Sequence, residues 1–496
     1  MQILEETAKA IAGKQYQDVP AGIVLHRSSL ADSGPCTASM IQMDGTDFIL
    51  VVGDGSLGNE MEGDNGNGYR LCPLSHHNRL VLNQYFPFTR PVPRGKKGAS
   101  IGLGDRLGIA TPGHVKAVEE KDIFPVFAQQ SIRELKLTGR TYSDVLDDAA
   151  FGVFREGYRK GYGADADHLK ELEDIDNALQ LGFSMLTLDC SDHINQEISQ
   201  ESPETLERLY QQVPKDLRNT YENRYLDQTF TIGEKTITYT IDDLSGIVLT
   251  YHRALQFICQ VYESYLLHRK EPVDFEISID ETQTPTTPQA HFFVANQLHN
   301  AGVDFTSLAP RFCGEFQKAI DYIGDIEQFE SELVIHAAIA DHFGYRLSIH
   351  SGSDKFSVFP IIGNHTSGRF HVKTAGTNWL EAVRVIAAVN PSLYREMHTY
   401  ALEHFHEATV YYHVTTRIEA IAALDNIDDK DLTGFMNDNN ARQLMHITYG
   451  VLLQARTNAG DLLFRDRIMK TLHYHEAAYH QNLVNHIGRH LTLLGR

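Results

Sequence analysis

Phe275, Ile277 and Ile279 alternate with Glu276, Ser278 and Asp280 in the stretch FEISIDE. A period of two marks a strand, whose successive side chains point to opposite faces. In the middle of a long chain the apolar face is expected to lie under helices. The polar face then turns inward, where Glu276 is costly to desolvate unless a metal, a base or a substrate uses it.

From about residue 104, short apolar runs alternate with stretches of helical period. The runs are RLGIAT (106–111), IFPVFAQQ (123–130), YGADADHL (162–169), FSMLTLD (183–189), VDFEISIDE (273–281), DFTSLAP (304–310), YRLSIHSG (345–352) and FHVKTAG (370–376). Eight such βα units predict an α/β fold, a TIM-type (β/α)8 barrel, over 101–390. A polar insertion near 195–240 carries a hairpin candidate, TFTIGEKTITYT. Residues 1–100 read as a small β-rich region with strands in GIVLH, ASMIQM and DFILVVG, a loop over GDGSLGNEMEGDNGNG, and a Pro-rich, Gly-Lys-Lys-Gly linker. Residues 391–496 read as a mostly helical extension with short extended pieces in YYHVTT and MHITYG. The run GLGDRLG (102–108) stands ahead of the first expected strand, so it reads as a linker turn and not as a dinucleotide fingerprint.

Composition narrows the partners. A formal charge of -21 argues against a nucleic-acid surface, while a locally basic pocket for an anionic small molecule remains open. No run approaches the roughly 18 apolar residues that span a bilayer. The start MQILEETAKAIAG lacks the pattern of a signal peptide. Five cysteines stand far apart with no CxxC pair, as free thiols in a reducing compartment would. The expectation is a cytoplasmic protein without nucleic-acid or membrane partners. Composition says nothing of the oligomeric state.

In a barrel the chemistry sits at the C-terminal ends of the strands. Those ends offer Asp165, Asp167 and His168; Asp189, Asp192 and His193; Glu276, Asp280 and Glu281; Arg311 and Glu315; His350 with Asp354 and Lys355; and His371 with Lys373. His168 and His350 read as metal ligands, and Glu276 as a ligand or a proton-transfer group. Glu315 completes a His/His/Glu set suited to Zn, Ni, Mn or Co, and Asp192–His193 is an equal ligand source by local chemistry. Asp167, beside His168, is expected to point to a different side. Arg311, Lys355, Lys373 and Arg369, with the donors of NHTSG, would bind a sugar acid. His76, His77 and Arg79 read as a surface cluster or as a wall over the site. The five histidines from His473 to His490 read as surface and packing residues.

The blocks FAQQSIRELKLTGRTYSDVLDDA, GYGADADHLK, IHSGSDKFSVFPIIG and GRFHVKTAGTNWLEA resemble the tagaturonate epimerase family, from about residue 70 to near the C-terminus. The resemblance implies a hexuronate C4-epimerase that interconverts D-tagaturonate and D-fructuronate with one divalent cation. It implies Asp167 as proton acceptor, Glu276 as proton donor, and His168, Glu315 and His350 as ligands. A retro-aldol route suits inversion at C4, whose hydrogen is not α to the C2 carbonyl. Transient oxidation would want a nicotinamide fingerprint, which the chain lacks. Rival readings are another metal-dependent sugar-acid isomerase, aldolase or lyase, and a non-catalytic sugar-binding protein.

Overall fold

The computed structural model describes residues 2–496, the side chain of residue 377 excepted. An N-terminal antiparallel sheet is built from β1 (Ile23–Ser33), β2 (Cys36–Met43), β3 (Thr46–Val52), β4 (Asp64–Gly66) and β5 (Tyr69–Cys72), in the order β1-β2-β3-β5-β4. The expected loop after β3 holds a short helix, Ser56–Glu60, and β4. The barrel follows with β6 (Ser100–Gly102), β7 (Phe124–Ser131), β8 (Gly163–Leu169) and β9 (Met185–Asp189). The insertion carries the expected hairpin, β10 (Phe230–Ile232) with β11 (Lys235–Ile237). Four strands complete the barrel: β12 (Asp274–Ile279), β13 (Ser307–Pro310), β14 (Arg346–Ile349) and β15 (Phe370–Lys373). The eight barrel strands are parallel and follow chain order around the ring, with β15 pairing β6 to close it.

Seven barrel strands coincide with apolar runs of the sequence; the first does not. Residues 106–111 form no strand. The Asp105 carboxylate accepts from the backbone N–H groups of Leu107, Gly108 and Ala110 at 2.6–3.0 Å, which folds this stretch into a loop. Gly108 takes a φ of +81°, open to glycine at little cost. The strand is the three-residue β6 just before it. GLGDRLG therefore does lie between a strand and a helix (Thr111–Val118), but two of its amides, and that of Ala110 just beyond it, are taken by its own aspartate.

Alternation places Phe275, Ile277 and Ile279 outward, buried in the layer between strands and helices. The inward side chains are unusually polar for a barrel. Arg346 pairs Asp274 at 3.2 Å, and Ser100 meets His371 Nδ1 at 2.8 Å, on the side where the strands begin. Burial, foremost, drives the His371 imidazole down to about 3, so it is neutral there.

The helical extension has its own core around Trp379, Tyr394, Leu444 and Tyr449. MHITYG is helical, within Asn439–Ile447 and Tyr449–Gln454, and YYHVTT forms no strand. The last long helix, Glu476–Leu493, packs on Thr111–Val118 and Thr377–Val389, tying the extension to both ends of the barrel sequence. No described helix is long and apolar enough to cross a membrane.

Candidate active site

The floor of the barrel mouth is organised by Lys373, the last residue of β15. Its Nζ lies 2.9 Å from Asp165, 2.7 Å from Asp167 and 2.8 Å from Glu276, all of them buried. Burial opposes its charge, but three carboxylates hold its pKa well above the ordinary lysine value. Glu276 is fully buried. It accepts from Ser307 Oγ at 2.6 Å and pairs with His350 Nε2 at 2.8 Å. Burial would raise the Glu276 and Asp167 carboxyls. Lys373 with His350 at Glu276, and His168 with Lys373 at Asp167, hold both well below the usual range. Asp165 behaves differently: burial, together with the two neighbouring carboxylates, outweighs Lys373 and pushes it up to about 6.

A regular strand would send Asp167 and His168 to opposite faces. The β8–β9 register breaks between Ala166 and Leu169, and His168 has a φ of +55°. This bulge turns both side chains to the mouth, correcting the expectation that they diverge. Asp167 Oδ1 accepts from His168 Nδ1 at 2.7 Å, and Gln129 Nε2 reaches Asp167 Oδ2 at 3.3 Å.

His168, Asp280 and His350 each offer a ligand atom, all within 4.8 Å of one another. His350 Nδ1 stands 3.0 Å from Asp280 Oδ1 but off hydrogen-bond geometry, so this buried nitrogen has no hydrogen-bond partner. A His/His/carboxylate set suits a borderline divalent cation such as Zn, Ni, Mn or Co. Each histidine is held through its other nitrogen by a carboxylate, Asp167 for His168 and Glu276 for His350. That is the support metal-ligating imidazoles need. Without an ion, burial disfavours imidazolium, yet Asp167 lifts His168 to about 10 and Asp280 lifts His350 to about 9. The cluster thus binds positive charge by protonation when no metal supplies it. His168, Asp189 and Glu281 form an overlapping alternative set.

A cavity open to solvent lies above this floor. Asp167, His168, Asp280, His350 and Lys373 reach it from the barrel, and Tyr412 and His446 from the extension.

The tagaturonate epimerase family model matches residues 26–494. The chain belongs to that family. A relative from Thermotoga maritima, a tagaturonate/fructuronate epimerase, is 44% identical over 431 residues, 86% of this chain and 87% of that one. Two crystal structures of the fructuronate-tagaturonate epimerase from Cohnella laeviribosi are also similar. The native form is 55% identical with a TM-score of 0.95, covering 98% of this chain and 99% of that one. A complex with two glycerols is 54% identical with a TM-score of 0.96, covering all of both chains.

In this epimerase-family chain the other expected site residues scatter. Glu315 is part-exposed beside Arg311 at 3.8 Å, where its backbone pairs with Ile323 at the outer opening; Asp280, and not Glu315, lies within reach of His168 and His350. Arg311 is held by the Thr282 carbonyl at that same outer opening. Lys355 is fully buried away from the cavity, its Nζ donating to the carbonyls of Gln317, Ile320 and Ser353 at 2.7–2.8 Å. It cross-links the loops that carry those carbonyls. Arg369 pairs Asp341 and, with NHTSG, precedes β15, at the end of the barrel opposite the mouth. His193 stacks on Phe257 at 4.1 Å, and Asp192 pairs Lys170; neither joins a candidate metal cluster among the described residues. His76 and Arg79 bind Asp147 on the helix Tyr142–Glu156, and His77 meets the Glu60 carbonyl, so no wall forms over the mouth.

Of the C-terminal histidines, His480 and His490 are buried packing residues, as expected. His486 and His490 also lie with Asp354 in a geometry that could hold a metal. Their atoms are spoken for: Arg442 and His486 take the Asp354 carboxylate, and His490 accepts from the Asp354 N–H through Nε2 and donates to the His486 carbonyl through Nδ1.

The sequence reading passed over Arg106, Lys318 and His446, all on the cavity wall. Lys318 stands three residues past Glu315 and could have been weighed with it. Arg106 and His446 lie in a loop and in an extension helix with no strand-end signal.

Proposed function

We propose that this chain interconverts D-tagaturonate and D-fructuronate by inverting C4 through retro-aldol cleavage and re-addition. The observation that carries the reading is the meeting of Asp167, Lys373 and the His168/Asp280/His350 set on one cavity floor at the C-terminal ends of the strands. With the carbonyl at C2, removal of the C4 hydrogen would leave an unstabilised carbanion. Removal of the C4 hydroxyl proton instead lets the C3–C4 bond break. Its electron pair moves toward C2 as an enediolate of the three-carbon ketone, and C4 becomes the aldehyde carbon of tartronate semialdehyde.

Asp167 is ionised at neutral pH and reaches the cavity, so it is the acceptor for the hydroxyl proton. Glu276 is too buried to touch the sugar and is itself ionised, so its part is to keep Lys373 charged. Lys373, which contacts both carboxylates and faces the cavity, gives a proton to the C4 alkoxide and regains one from Asp167. A divalent cation held by His168, Asp280 and His350 would supply Lewis acidity for the negative charge of the ketone fragment. Lys373 adds a fixed positive charge beneath the same centre. Rotation of the aldehyde fragment presents its other face, and re-formation of the C3–C4 bond gives the epimer.

Substrate deuterated at C4 tests this route. The expected product keeps the deuterium, with tartronate semialdehyde captured by an added carbonyl trap. Solvent hydrogen at C4 would refute it, and retention without a trappable three-carbon aldehyde would favour hydride removal and return.

A further inference from the structure

Two buried groups on the cavity wall, Arg106 and His446, lack hydrogen-bond partners, and a part-buried lysine beside them, Lys318, lacks a counter-ion among the described residues. Arg106 is buried and stacks on the Tyr449 ring at 3.7 Å. Its Nε and Nη2 bind Glu134, while Nη1 has no hydrogen-bond partner. His446 is 1% exposed, and neither ring nitrogen has a hydrogen-bond partner. Lys318 donates to Ser351 Oγ at 2.9 Å, and no described carboxylate lies within ion-pair distance of it. A buried polar atom with no partner costs free energy that a bound ligand recovers.

A fourth element adds positive potential. The helix Thr377–Val389, directly after β15, begins at Gly376 without a side-chain cap, and Gly376 lines the same cavity. The N–H groups at a helix start attract anions. Barrels often bind anions where the loops after the last two strands meet a helix start. Here Ser351 follows β14 and Gly376 follows β15. A Cβ on residue 376 would fall 1.8 Å from His446 Cε1, so the imidazole sits directly against that start.

We propose that Arg106, Lys318 and His446, at the start of the helix Thr377–Val389, form the subsite that takes the carboxylate of the sugar acid. This deepens the function proposed above and rests on it for the choice of ligand. Burial and the positive charge of Arg106 and Lys318 keep His446 neutral, so it donates through one nitrogen and accepts a sugar hydroxyl at the other. Lys318 and Ser351 bring the anchored end beside His350, and the C4 end reaches Asp167. After bond cleavage the carboxylate stays on the aldehyde fragment. The subsite therefore holds that fragment while it turns.

The test compares Lys318→Met and Lys318→Arg with wild type in the metal-loaded enzyme. The substrates are D-tagaturonate and its neutral ketohexose counterpart, with CH2OH in place of the carboxylate. Lys318→Met should raise KM for the uronate at least about tenfold and leave the neutral sugar within about threefold, with Lys318→Arg recovering part of the loss. Metal content and Tm should match wild type. If the neutral sugar does not turn over, its inhibition constant replaces KM. A uronate KM within about threefold of wild type, or equal losses on both sugars, would overturn the subsite. If wild type does not epimerise the uronate, the function proposed above fails by itself. Calorimetric uronate binding in wild type and Lys318→Met then decides the subsite: Lys318-dependent binding upholds it, and equal or absent binding refutes it.

Discussion

Replacing Lys373 by methionine keeps the length of the side chain and removes the one cation that touches all three of these buried carboxylates. Those contacts are 2.7–2.9 Å long, and the lysine is almost fully buried. Breaking a buried pair by removing one partner costs about 3–5 kcal/mol, chiefly because the remaining charge is stranded. At about 2.1 cal/mol/K per residue, a chain of this length has an unfolding entropy on the order of 1 kcal/mol/K, so Tm should fall by about 3–5 °C. The deficit should depend on pH. In wild type, Asp167 and Glu276 stay ionised in the folded state despite burial. Without Lys373, their folded pKa rises from the wild-type value, though His168 and His350 still oppose burial, and a carboxyl raised in this way loses stability as pH rises through it. The Tm gap between wild type and variant should therefore widen from pH 5 to pH 8. Calorimetry on chelator-treated protein reads this without interference from metal. A Tm within about 1 °C of wild type at pH 8, or a gap that narrows as pH rises, would refute the role given to this lysine.

Asp165, pushed up to about 6 from an ordinary 3.8, contributes stability that is full below about pH 4 and is lost as pH rises through 6. Asp165→Asn should flatten the Tm–pH curve over that window, and an unchanged slope would assign it to another group. His168→Ala and Asp280→Ala should lower metal affinity by at least about tenfold, while Glu315→Ala leaves it unchanged; metal titration of the purified proteins decides. Gly376→Ala drives a methyl into His446 Cε1 and should cut kcat/KM at least about tenfold with metal content intact, and wild-type kinetics in that variant would refute the packing argument.

Much of the fold was legible because seven barrel strands carry apolar runs long enough to show. β6 has only Ser-Ile-Gly, so the pattern drew the eye to 106–111, where side-chain capping by Asp105 outweighs strand propensity. Asp280 was readable as the third inward residue after Glu276 and Ser278 on one strand face. Glu315 competed with it by position in the chain, and only its pairing with Ile323 shows it turned away. The shared orientation of Asp167 and His168 depends on a bulge that no periodicity announces. Arg106 and His446 could not be joined from sequence, since their meeting depends on how the extension docks over the mouth.

That docking bears on how the protein becomes active during synthesis. All eight barrel strands leave the ribosome before His446 and Tyr412 do, so a nascent barrel can form with its cation ligands in place and its roof missing. Such a precursor would bind metal yet let a cleaved aldehyde diffuse into solvent.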